Sequence, residues 1–138
     1  MENSLVIIKP DAMEKNLATT ILNRFEQQGL RLIALKMIHL TKDMASRHYY
    51  THKDKPFYDE LIEFISSSPV VVAVFRGEHA IQTIRSIMGT TDPSKAKVGT
   101  IRYDFGSDIQ RNAVHGSDSV NTANKEIELF FTENELYD

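Results

Sequence analysis

Apolar residues in this chain fall into short blocks whose spacing alternates between two periods, that of a buried strand and that of an amphipathic helix. Residues 4–8, SLVII, form a short apolar, β-branched run that predicts a buried central strand, closed by Pro10, which has no amide proton for a ladder. Leu17, Ile21, Leu22 and Phe25 then recur at helical spacing, and Gly29 marks the helix end. Residues 30–40 alternate in part and predict a second strand. Two short helical patterns follow over 43–52 and 58–65, divided at Pro56. Residues 69–75, PVVVAVF, are dense in β-branched side chains and predict another buried strand with proline at its first position. Helical spacing resumes over 79–88 through Ile81, Ile84, Ile87 and Met88.

Residues 89–106 have no clear period and predict a long loop of the kind that carries function. Beyond it, residues 122–125 predict the opening of a short helix and 127–131 a last edge strand. The order strand, helix, strand, helical insert, strand, helix, loop, strand predicts an α+β sandwich with helices on a mainly antiparallel sheet. No repeat, linker or low-complexity tract divides residues 1–138, so a single domain is expected.

Composition narrows the chemistry. No apolar run approaches the ~20 residues that span a bilayer, so no membrane insertion is expected. The opening MENSLVIIKPD lacks the basic flank and apolar length of a signal peptide, which points to a mature cytoplasmic start. There is no cysteine, hence no disulfide, thiolate nucleophile or cysteine-held metal. A net charge of −3 gives no general attraction for nucleic acid. An anionic substrate therefore needs a local group of cations.

Residues 112–119, NAVHGSDS, place one imidazole among small, hydroxylic and acidic side chains. Gly116 allows close approach, and Ser117 and Asp118 can hydrogen-bond around the ring. A free imidazole titrates near pH ~6.5, so most of it is neutral at pH 7 and able to attack phosphorus unaided. His115 is thus a candidate nucleophile or proton shuttle, with Glu126 a candidate orienting partner. Arg85, Arg102 and Arg111 flank the unpatterned loop and, with Thr91, are candidates to converge on phosphate; taken singly, each arginine reads more readily as a solvated surface residue. Phe57 and Tyr58 read first as core. His48 and His52, in HYYTH, sit one helical turn apart, but Tyr49 stands where a metalloprotease helix has glutamate and no third ligand is evident, so no protein-held metal is assigned. His39 and His79 carry no signal. Neither GxxxxGK[ST] nor a GxGxxG after a strand is present, so nucleotide handling would need a different phosphate site.

Five blocks in order, IIKPDA (7–12), RHYYTHKDKPFY (47–58), MGTTDP (88–93), GTIR (99–102) and NAVHGSDS, resemble nucleoside diphosphate kinase across most of the chain. The resemblance implies a ferredoxin-like βαββαβ fold with a four-stranded antiparallel sheet. It also implies a ping-pong transfer of the terminal phosphoryl group from a nucleoside triphosphate to a diphosphate through a phosphohistidine. By that likeness His115 is the nucleophile, with Ser117 and Glu126 supporting it. Lys9 and Asn112 would hold the ribose hydroxyls, and Tyr49, Arg85, Thr91 and Arg102 would contact phosphates. Phe57 and Ile109 would sandwich the base with little discrimination among bases. Mg²⁺ would arrive with the nucleotide phosphates, and a homo-oligomer, tetramer or hexamer, is the implied assembly.

Two positions depart from the family pattern: Tyr103 follows GTIR where a small residue is usual, and Asn16 replaces a common glycine. The first predicts an altered backbone beside Arg102, the second a left-handed residue that asparagine tolerates. Two rivals stay open on the residues alone: a nucleotide-binding regulatory module on the same fold, and a structural metal domain built on His48 and His52.

Overall fold

The computed structural model describes residues 1–138. Strand β1 (Glu2–Ile8) leads through a proline-started turn of helix, α1 (Pro10–Glu14), into α2 (Ala18–Gln27) and β2 (Arg31–Ile38), which runs in the same direction as β1 without pairing to it. Helices α3 (Lys42–His48) and α4 (Tyr58–Ile65) form an insert before β3 (Val70–Gly77), which is followed by α5 (Ala80–Met88), α6 (Ile101–Phe105), β4 (Val114–Gly116) and α7 (Val120–Phe130). The sheet order is β2-β3-β1-β4, with every pairing antiparallel. This is the ferredoxin-like arrangement that the resemblance implies.

Strand alternation decides the core. In β1, Val6 and Ile8 face one layer with Phe25, Ile84 and Met88, while Leu5 and Ile7 face the other with Tyr49, Ile62, Ile127 and Phe130. The sheet is therefore covered on both faces, by α2 and α5 on one side and by α3, α4 and α7 on the other. This explains why its central strands read as continuous apolar runs.

Two elements differ from the sequence expectation. Residues 127–131 are the end of α7 and not an edge strand: Ala123, Ile127 and Phe130 are buried at helical spacing, and Ser119 caps the helix by accepting the Thr122 amide at 3.1 Å. The actual edge strand is β4, three residues long and centred on His115, paired to β1 through Ile7. Its histidine and glycine carry no strand propensity, and its pairing is wholly non-local.

The 89–106 segment is also more regular than a loop. It holds a 3-10 turn at Pro93–Lys95, capped by Asp92, and the helix α6, capped by Thr100. Tyr103 sits half-exposed in that helix with ordinary geometry, so its side chain leaves the backbone beside Arg102 undisturbed. Asn16 is left-handed at φ 59°, as expected.

Candidate active site

β4 is the edge on which the site is assembled. Ala113, just before it, has φ 76° and centres a γ-turn closed by Val114 N–H donating to the Asn112 carbonyl at 2.9 Å, a strained conformation that costs an alanine about 1–3 kcal/mol. It is held by its neighbours: Lys9 N–H donates to the Ala113 carbonyl at 2.9 Å, and Ala113 N–H donates to Asp11 Oδ2 at 2.9 Å. The kink carries Asn112 to one wall and His115 to the floor of a cleft of about 1100 Å³.

His115 Nε2 lies 2.9 Å from Glu126 Oε2. An ionised carboxylate only accepts, so Nε2 carries the proton and Nδ1 keeps its lone pair with no protein partner. Ser117 Oγ donates to the other Glu126 oxygen at 2.6 Å and itself accepts the Leu5 amide at 3.0 Å, which fixes the carboxylate to the central strand. Burial alone would raise the Glu126 carboxyl, but the hydrogen bond and charge of His115, with His48 and Ser117, outweigh it and hold the group below its ordinary value.

Cations line the same cleft. Lys9 Nζ donates to Gln110 O at 2.7 Å and Asn112 Oδ1 at 2.9 Å, and burial lowers its pKa to about 8, with the Arg102 charge adding to the effect and Asp11 opposing it. Asn112 spends its amide on the carbonyls of Thr91 and Ile109, stapling the 89–112 segment shut beneath the cleft. Arg102 is buried, donating to Gly89 O at 3.0 Å and Val114 O at 2.8 Å; burial and then the Arg85 charge lower its pKa to about 10, leaving it cationic at neutral pH. Tyr49 is buried beside it, and burial and the Glu126 charge push its hydroxyl up. Arg85 and Thr91 are exposed on the cleft wall, while Phe57 and Ile109 stand 46% and 62% exposed at its lining, open to a planar ligand.

All eleven expected site residues are accounted for around this cleft: ten line it, and Ser117 lies beneath, behind Glu126. Arg111 is the exception among the arginines considered, since it turns away to Asp108 and the Phe64 ring. His48 and His52 both line the cleft but do not sit one turn apart on one helix: α3 ends at His48, which packs edge-on against His115 with ring centroids 4.7 Å apart, and His52 closes the 3-10 turn that follows. Asp11 and His48 carry structural weight that their types alone do not signal. Asp11 does so through the Ala113 amide and His48 through its packing on the His115 ring.

The family model described as Nucleoside diphosphate kinase matches residues 2–136. The chain is 53% identical to nucleoside diphosphate kinase 1 of Protochlamydia amoebophila, covering 98% of this chain and 96% of that one. It is 52% identical to the nucleoside diphosphate kinase of Campylobacter jejuni subsp. doylei, covering 99% and 100%. Among solved structures, a Halobacterium salinarum nucleoside diphosphate kinase in complex with CDP superimposes with a TM-score of 0.97 at 40% identity, covering 99% of this chain and 91% of that one. The Aquifex aeolicus nucleoside diphosphate kinase gives 0.95 at 46% identity, covering 98% of each. A histidine braced by a carboxylate beside a wall of cations, on a fold and sequence shared end to end with these proteins, has one consistent reading: the chain belongs to the nucleoside diphosphate kinase family.

Proposed function

We propose that this chain carries out its family's reaction through His115, moving the terminal phosphoryl group of a nucleoside triphosphate to a nucleoside diphosphate in two half-reactions. The observation that carries this reading is the 2.9 Å contact between His115 Nε2 and Glu126 Oε2, which fixes the tautomer and leaves Nδ1 as the attacking atom. In the first half-reaction Nδ1 forms a bond to the γ-phosphorus and the bond to the β-phosphate oxygen breaks, releasing the diphosphate. Glu126 balances the positive charge that develops on the ring. In the second, an oxygen of the incoming diphosphate attacks the same phosphorus and the N–P bond breaks, restoring neutral His115.

Phosphoryl transfer has a loose transition state, so positioning and charge neutralisation supply most of the catalysis. Arg85 and Arg102 take the phosphates with Thr91 and Tyr49, and Lys9 with Asn112 takes the ribose hydroxyls. Phe57 and Ile109 clamp the base by its faces, which every base possesses, so base discrimination is weak. The donors on this wall are cations and hydroxyls, and Glu126 is committed to His115 and Ser117, so Mg²⁺ fits as a companion of the nucleotide held by phosphate oxygens. Bound there, it neutralises phosphate charge and fixes the chain of phosphates for in-line transfer.

Residues 1–138 act as one such domain in a cytoplasmic homo-oligomer. The exposed Leu35 and Met37 on edge strand β2 favour covering by another copy. No helix is long and apolar enough to cross a membrane.

The test is intact mass after brief incubation with ATP and Mg²⁺. A gain of about 80 Da, absent in His115→Ala and discharged by a different nucleoside diphosphate, is expected for the covalent route. Bound ATP with no gain in mass would overturn it in favour of a binding module.

A further inference from the structure

His48 is an unexplained cost in this site. Its side chain is 1% exposed, yet neither ring nitrogen has a hydrogen-bond partner, and a buried polar atom left unpaired is destabilising. Its Nδ1 lies 3.6 Å from Glu126 Oε2, the same oxygen that His115 Nε2 approaches at 2.9 Å. One donor atom from each of His48, His115 and Glu126 falls within 4.8 Å of the others. Two imidazoles and one carboxylate form a donor set suited to Zn²⁺ or a similar borderline transition ion. A tetrahedral ion with bonds near 2.0–2.1 Å needs donors roughly 3.3 Å apart; the two contacts to Glu126, 3.6 and 2.9 Å, bracket that value, and the two imidazole donors, within 4.8 Å of each other, close on the ion as it binds. Mg²⁺, which prefers a shell of oxygens, does not compete for such a set.

We propose that His48, Glu126 and His115 form an inhibitory site for Zn²⁺, reached from the nucleotide cleft that all three line. The ion takes lone pairs from His48 Nδ1 and His115 Nε2 and one carboxylate oxygen of Glu126, with solvent completing its shell. The proton displaced from His115 Nε2 moves through water to Nδ1, so no net proton is released. Metal binding thereby switches His115 to the tautomer whose Nδ1 is protonated. Only the inhibitory consequence rests on the reading of Nδ1 as phosphoryl acceptor; the binding itself does not.

The experiment separates the two. Zn²⁺ alone is titrated into the full chain against a competing chromophoric chelator, for wild type and His48→Phe. The phenylalanine keeps ring packing against Tyr49, His115 and Phe130 while removing both nitrogens. One tight equivalent in wild type, weakened at least tenfold in His48→Phe, is expected. In parallel, ¹⁵N spectra of the wild-type imidazoles are expected to show His115 Nδ1 gaining a proton with the first equivalent. Equal Zn²⁺ affinity in both proteins, or a first equivalent that leaves Nδ1 unprotonated, would overturn the site. A confirmed metal site with undiminished His115 phosphorylation would instead overturn the assignment of Nδ1 as the acceptor.

Discussion

Asp11 Oδ2 accepts the amide proton of Ala113 at 2.9 Å, joining two residues 102 apart in sequence at the point where the backbone turns left-handed. The bond ties the first helical turn to the residue before β4 and so sets where His115 begins. Burial raises the Asp11 carboxyl, while the Lys9 charge and the Ala113 amide oppose that rise.

Removing this acceptor leaves a buried N–H unpaired at an already strained residue. Asp11→Ala is expected to lose about 1–3 kcal/mol of stability in urea unfolding. Phosphorylation of His115 should fall with it, because the kink no longer holds β4 in register. Asp11→Asn, which keeps an amide oxygen in the same place, should recover most of both. An Asp11→Ala protein as stable as wild type would mean that the kink is held by Lys9 alone.

The brace on His115 is tested by changing one atom type. Glu126→Gln preserves volume, but its amide can donate to Nε2 and so favour the tautomer with the proton on Nδ1. kcat/KM at pH 7 is expected to fall about 10²- to 10³-fold with little change in nucleotide affinity, the behaviour of a lost orienting carboxylate. Ser117→Ala should cost less in rate, about tenfold, since Glu126 keeps its contact to His115. It should cost more in stability, about 1–3 kcal/mol, because the Leu5 amide loses its acceptor. Steady-state kinetics and urea melts on the two variants separate the effects.

What the sequence made legible follows from where the determining contacts lie. β1 and β3 are buried on both faces, so composition alone marks them. α2 and α5 carry their apolar stripes locally, and α7 hid its own because residues 127–131 read as a strand when detached from Ala123. β4 is specified by its partners, with Ile7 opposite His115 and Val6 opposite Gly116, and nothing within residues 114–116 announces it. NAVHGSDS marked His115, and the family resemblance gave Lys9 and Glu126 their roles beside it. His48 could not be placed, because its neighbours in the fold lie 67 and 78 positions along the chain from it, and helical spacing suggested His52 instead.

Gly116 makes the close approach of β4 to α5 possible. A Cβ there would stand 2.8 Å from Ile84 Cγ2 and 2.8 Å from Met88 Sδ. The methionine end can yield, but the isoleucine branch is fully buried, so Gly116→Ala should push β4 outward at about 1–3 kcal/mol. Since His115 is the next residue, its distance to Glu126 should lengthen and the rate of phosphohistidine formation should drop. Unchanged melting and an unchanged rate would show that α5 shifts instead of the strand.

Lys9 links stability and activity with opposite signs. Burial lowers its pKa from 10.5 to about 8 in the fold, so between pH 8 and pH 10.5 the unfolded chain holds a proton that the folded chain has released. Where the unfolded state binds more protons, stability rises with pH. The desolvation penalty is therefore fully present below pH 8 and is relieved as pH climbs to 10.5, by at most about 3 kcal/mol at 1.36 kcal/mol per unit. Over the same window the cleft loses one positive charge, so kcat/KM for nucleotide should decline above pH 8 as the fold tightens. Lys9→Gln should lack both effects, with a lower kcat/KM that is flat from pH 7 to pH 9.5 and no matching gain in the urea midpoint. A wild-type profile without an alkaline decline would mean that the ammonium contributes hydrogen bonds to Gln110 and Asn112 but no charge to the transfer.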